Sequence, residues 1–273
     1  MNETTVSNDL NIDTHAEQPG IRKITLDEPW KWLSMGWNDM RKAPQLSLPY
    51  GAVFVVVTYL LIWGLIDGGM FFMLPLLAAG FFLSAPILGL GLYGISRSLE
   101  QNKKIEFCQI QKSWRSNPIN ISAIGIILML IMLFWMLTSI IVFIVFFDNA
   151  TLQWENFFTE VFFSGNNYLF LLMGCIFGGI IAMFTFSISV ITIPLLMDRQ
   201  IDFMTAMKTS LAAVKANTKP LLLWAYLIAL LVGISFLTYF IGLLIAMPVI
   251  GHATWHAYRA LVEPEDEQPE MTA

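Results

Sequence analysis

Six stretches of this chain are long, apolar and free of acids and bases in their middles, and no water-soluble packing can hide that much hydrocarbon. A membrane-crossing helix needs about twenty mostly apolar residues. The stretches at about 46–66, 70–95, 121–147, 169–197, 220–238 and 241–261 each supply that length. At about 0.3–0.6 kcal/mol per Leu, Ile, Phe or Val, each inserts without a partner helix. Charged residues are 13% of the total, against about a quarter in a soluble domain. The expected fold class is therefore all-α: a polytopic membrane protein with six transmembrane helices in three hairpins.

Orientation follows from the 15 Lys and Arg residues. Arg22, Lys23, Lys31, Arg41 and Lys42 precede the first stretch. Arg97, Lys103, Lys104, Lys112 and Arg115 lie between the second and third, and Arg199, Lys208, Lys215 and Lys219 between the fourth and fifth. Arg259 closes the sixth, and the alternate connections carry no basic residue. Basic residues near span ends stay in the cytoplasm, so both termini are expected there. The net charge of −5 carries no implication of a nucleic-acid surface, because the acids concentrate in the tails while the bases flank the spans.

Residues 1–27 are polar and acidic, which predicts a disordered tail rather than a secretory signal. Residues 28–262 form the expected membrane domain, and 263–273 a second acidic tail. Cys108 and Cys175 fall in different environments and are not expected to pair.

Within the domain a hairpin pattern recurs. Pro44, Pro118 and Pro220 open the outgoing spans, where proline sacrifices no backbone hydrogen bond. Pro86 precedes Arg97 by eleven residues and Pro248 precedes Arg259 by eleven, whereas the middle copy places Arg199 only five after Pro194. A threefold repeat and mere similarity of composition both account for this. Apolar residues at helical spacing precede each hairpin: Trp30, Leu33, Trp37 and Met40; Phe107, Ile110 and Trp114; Phe203, Met207, Ser210 and Val214. They predict amphipathic cytoplasmic helices lying in the headgroup layer. Trp154, Phe157, Phe158, Val161 and Phe162 predict one more on the other side.

Few residues suggest chemistry. His252 and His256 stand four apart, with Arg259 three further on, so all three share one helix face. They could hold an anionic headgroup, a quinone or, with more ligands, a metal or haem; equally they could be an interfacial belt with a snorkelling anchor. Tyr93 and Arg97, followed by Glu100, form a second candidate for ligand or headgroup binding, and pairing of Arg97 or Arg259 with Asp198 or Asp202 is its structural alternative. Gly174, Gly178 and Ala182 place small residues four apart, the pattern of close helix packing. No acid or base sits near a span midpoint as ion-coupled transporters require. No phosphate-binding glycine loop, His-Glu-x-x-His helix or Gly-x-Ser-x-Gly elbow is present. Catalysis, a bound metal and a resident cofactor are not expected.

Pro29-Trp30-Lys31-Trp32-Leu33, Gly36-Trp37-Asn38-Asp39-Met40, Ser47-Leu48-Pro49-Tyr50-Gly51, Ser96-Arg97-Ser98-Leu99-Glu100 and the closing Gly251-His252-Ala253-Thr254-Trp255-His256-Ala257-Tyr258-Arg259 resemble a bacterial family of integral membrane proteins, domain of unknown function 2189 (DUF2189). The resemblance covers about Asp27 to Val262. It implies a bacterial inner membrane and no particular activity. The expected function is a non-enzymatic scaffold docking membrane lipids, a protein partner at the cytoplasmic face or another copy of itself. A transporter of small molecules or lipids built from the hairpins is the alternative, and a haem- or metal-bearing redox component using His252 and His256 the third.

Overall fold

The computed structural model describes residues 19–70, 73, 80, 85–103, 113–146 and 167–264. Its principal helices are α1 (Glu28–Lys42), α2 (Pro44–Asp67), α3 (Leu90–Glu100), α4 (Pro118–Phe146), α5 (Tyr168–Ser189), α6 (Thr192–Asp198), α7 (Phe203–Ala216), α8 (Thr218–Leu237) and α9 (Leu243–Leu261). Among the described residues there is no strand, only an isolated antiparallel bridge between Ile21 and Val262.

Local chemistry sets the boundaries. Pro44 and Pro118 stand at the first positions of α2 and α4, as expected. Gly69, at φ 67°, ends α2: its N–H and that of Met70 reach back to the carbonyls of Ile66 and Leu65, closing the last turn. The side chain of Asp202 caps α7 by accepting from the N–H of Thr205 at 2.9 Å. Between α8 and α9 the chain reverses through Tyr239 (φ 51°) and Phe240 (φ 67°), at the turn expected around 238–240.

Among the described residues, four helical segments are long and apolar enough to cross a membrane: Pro44–Asp67, Pro118–Phe146, Tyr168–Asp198 and Thr218–Leu237. They turn most of their apolar surface outward; only 17% of the most apolar window of α4 is buried within the protein. Of the expected span at 70–95, residues 71–72, 74–79 and 81–84 lie outside the described residues, and its final part falls in α3. The expected span at 241–261 is α9, and it has a different character. Fourteen of its nineteen residues are buried, because it forms the central post on which α1, α2, α3 and α8 pack. Two glycines permit the closest approaches: a Cβ on Gly36 would stand 2.7 Å from the carbonyl of Val249, and one on Gly51 would overlap the carbonyl of Leu244.

The main core gathers around this post, with Trp32, Trp224, Trp255 and Tyr258 all 0–1% exposed. Trp32 and Trp224 meet edge to face at 5.7 Å.

The expected amphipathic helices dispose their stripes in two ways. In α1 the buried face is Pro29, Trp32, Gly36, Asp39 and Met40, while Trp30 and Trp37 are 56% and 45% exposed. In α7 the expected stripe points inward, with Phe203, Met207 and Val214 against the core. Phe107, Ile110 and the segment 154–162 lie outside the described residues, as do 1–18 and 265–273. Arg22 N–H donates to the carbonyl of Leu261 and Glu263 N–H to that of Gly20, so residues 20–22 run beside 261–263.

Candidate functional site

The two closing histidines sit at the centre of a buried polar chain, and its proton pattern can be worked out. The Ser96 hydroxyl donates to Asp39 Oδ2 at 2.8 Å. Having one proton, it must then accept from His252 Nδ1, 2.8 Å away. In the neutral imidazole, Nε2 is left as an acceptor, and the Ser47 hydroxyl donates to it at 2.9 Å. His256 Nε2 meets the same Asp39 Oδ2 at 2.8 Å. Four helices contribute: Asp39 from α1, Ser47 from α2, Ser96 from α3 and both histidines from α9. Ser47, Ser96 and His252 are fully buried, and Asp39 is 6% exposed.

Asp39 is the one acid of this chain. Burial works against its charge, but hydrogen bonds from His256 and Ser96 and the two nearby imidazoles outweigh that and hold its carboxyl below the ordinary value of 3.8.

A second chain runs beside the first. Glu100 accepts from Trp255 Nε1 at 3.0 Å and from Arg259 Nε at 2.9 Å. Asp198 accepts from the Tyr258 hydroxyl at 2.7 Å and pairs with Arg97 at 2.9 Å, with Arg259 at 3.8 Å. Arg199 donates to the carbonyl of Glu263. Arg97 and Arg259, eleven residues after their prolines, thus converge on one carboxylate between α3, α6 and α9. Asp202, the other expected partner, serves as the α7 cap instead.

The sequence-level candidates are therefore brought together in part. His252 and His256 share Asp39, and Arg97 and Arg259 share Asp198. Arg259 stands apart from the histidine chain, and Tyr93 donates to the carbonyl of Pro86 at 3.1 Å. His252 is buried rather than interfacial, and both its ring nitrogens are taken by serines. Among the described residues no group of three or more His, Cys, Asp and Glu side chains is placed to hold a metal ion. Gly178 lies against Trp135 of α4, Gly174 has open space where a Cβ would be, and Ala182 borders a cleft. Asp39, Ser47 and Ser96 were not singled out for chemistry; the available signal was a serine one position before Arg97 and an acid on the α1 face that carries Gly36.

That cleft is the molecule's other conspicuous feature, a half-open space of about 810 Å³. α5 and α8 form its walls and α9 with residues 85–93 its floor. Its lining is overwhelmingly apolar.

Residues 73–198 match the model of a family described as a predicted integral membrane protein, domain of unknown function 2189. Of the motifs that carry the resemblance, Ser96–Glu100 lies inside the matched region, and those at 29–51 and 251–259 lie outside it. No curated protein and no solved structure matches the chain. The match and the apolar helices agree: the chain is an integral membrane protein.

Proposed function

We propose that this protein is a non-catalytic scaffold of the bacterial inner membrane, with six spans and both ends cytoplasmic, which docks through α1 on the headgroup layer. The carrying observation is the division of labour on α1. One face clamps α9 through Trp32, Gly36 and Asp39, while Leu26, Trp30 and Trp37 remain exposed. Lys23, Lys31, Arg41 and Lys42 flank that stripe. Exposed aromatics with neighbouring bases are the composition of a helix lying in a membrane interface. The pairing of residues 20–22 with 261–263 puts the two ends of the domain side by side, which supports an even number of crossings.

The polar chains support a structural role for the closing motif. Every nitrogen and oxygen named above in the His252–Asp39 chain has an internal partner, which supports that role. Fluorescence in bilayers containing lipids brominated high on the acyl chain tests the docking. Trp30→Phe with Trp37→Phe should lower the quenched fraction of the emission; unchanged quenching would sink the reading.

The transporter reading draws on the cleft between α5 and α8. Substrate-dependent flux in proteoliposomes would favour it over the scaffold, and flat traces across a broad panel would count against it.

A further inference from the structure

We infer that the cleft is a binding site for one acidic glycerophospholipid, with an acyl chain between α5 and α8 and the phosphate at Lys215 and Lys219. This site is separate from the docking stripe of α1 and goes beyond it.

The cleft has the size of a small-molecule site and the wrong lining for water. Phe54, Phe186, Val232, Met247 and Ile250 contribute to its surface. Small residues hold the walls apart: Gly179 and Ala182 on α5, Ala225, Ala229 and Gly233 on α8. A Cβ built on Gly179 or Gly233 meets no heavy atom within 4 Å, so each opens onto empty space. Apolar space bordered by lipid-facing helices suits a hydrocarbon chain.

The cleft also has a polar end. α7 packs on both α5 and α8 and leads directly into α8, so the end of α5 near Ser187 and the start of α8 adjoin the same helix. Thr185 and Ser189 line the cleft at this end of α5, and Tyr93, Tyr226 and Thr254 are its other hydroxyl-bearing lining residues. α7 joins the two walls across it, held to α5 by the Ser210 hydroxyl donating to the carbonyl of Ser187 at 2.8 Å. Lys215 closes α7, and Lys219 stands three residues before Leu222 and seven before Tyr226, on the stripe of α8 that forms the cleft wall. Both lysines are exposed, and among the described residues neither has an ion-pair partner. Lipid tails are as apolar as the cleft wall, so the chain alone gives no selectivity. The paired positive charges at the mouth supply it, favouring an anionic headgroup over a zwitterionic one.

The test is native mass spectrometry of the full chain in mild detergent with phosphatidylglycerol or phosphatidylcholine of identical acyl chains. The wild type should retain one phosphatidylglycerol with a preference of roughly thirtyfold, the scale expected of two basic residues at a membrane surface. Lys215→Gln with Lys219→Gln should bring the preference toward unity. Gly179→Leu with Gly233→Leu should abolish retention while preserving the thermal unfolding temperature. Trp30→Phe with Trp37→Phe should leave retention unchanged, so the docking reading and this one fail separately. Equal retention of the two lipids by the wild type, or full retention by the double leucine variant, overturns the proposal.

Discussion

Ser96 holds the key position in the His252 chain because it is the only group that touches both the carboxylate and the imidazole. Ser96→Ala leaves a buried acid and a buried ring nitrogen each short of a partner, at a cost of about 1–3 kcal/mol for stranded groups. Ser47→Ala strands only Nε2 of His252, one buried group instead of two, and should cost less than Ser96→Ala. Thermal unfolding in detergent ranks the two, and equal losses would refute the chain as drawn. Asp39 carries the pH dependence. Its folded-state carboxyl titrates below 3.8, so the stability it confers is complete above that value and is lost as pH falls through the lower folded one. Asp39→Asn should be less stable than the wild type at neutral pH, and the gap should close in acid. A gap independent of pH would assign its effect to shape alone.

Helix by helix, what could be read in advance was local. Pro44, Pro118 and the Gly68-Gly69 turn act within a few residues of themselves, and the helix ends fell where they stand. The face that α1 buries could not be read that way. Trp30, Leu33, Trp37 and Met40 suggested one stripe, but Gly36 decides the contact because only a missing side chain admits the α9 backbone. The joining of Asp39 to His256, 217 positions apart, leaves no periodic trace in either helix. Glycine replacements separate these roles. Gly36→Leu and Gly51→Leu force side chains into α9 backbone and should destabilise by about 1–3 kcal/mol or more. Gly179→Leu, facing open space, should be neutral or gain up to about 1 kcal/mol from helix propensity. Comparable losses at all three positions in urea or thermal unfolding would contradict the packing described.

Over the whole molecule, the six apolar stretches and the one-sided bases made a membrane protein legible at once, yet nothing in the sixth stretch distinguished it from the others as the post of the core. Hydropathy measures transfer from water and cannot distinguish lipid from protein as the destination. Reporter fusions test the orientation: those at Asn149 or Ser164 should report the far side of the membrane, and those after Lys104, Lys208 or Val262 the cytoplasm. A cytoplasmic signal at Asn149 would break the six-span arrangement. That α9 follows α1, α2 and α3 in the chain also bears on biogenesis. α1, α2 and α3 leave the ribosome with Gly36, Gly51 and Ser96 shaped for a partner not yet made, and the polar chain cannot close until His252 emerges. The nascent protein must wait, its buried serines and acid unsatisfied, for α9. A chain cut short before Leu243 should be cleared rapidly by membrane quality control, so the arrival of α9 is itself the signal that the protein is fit to persist.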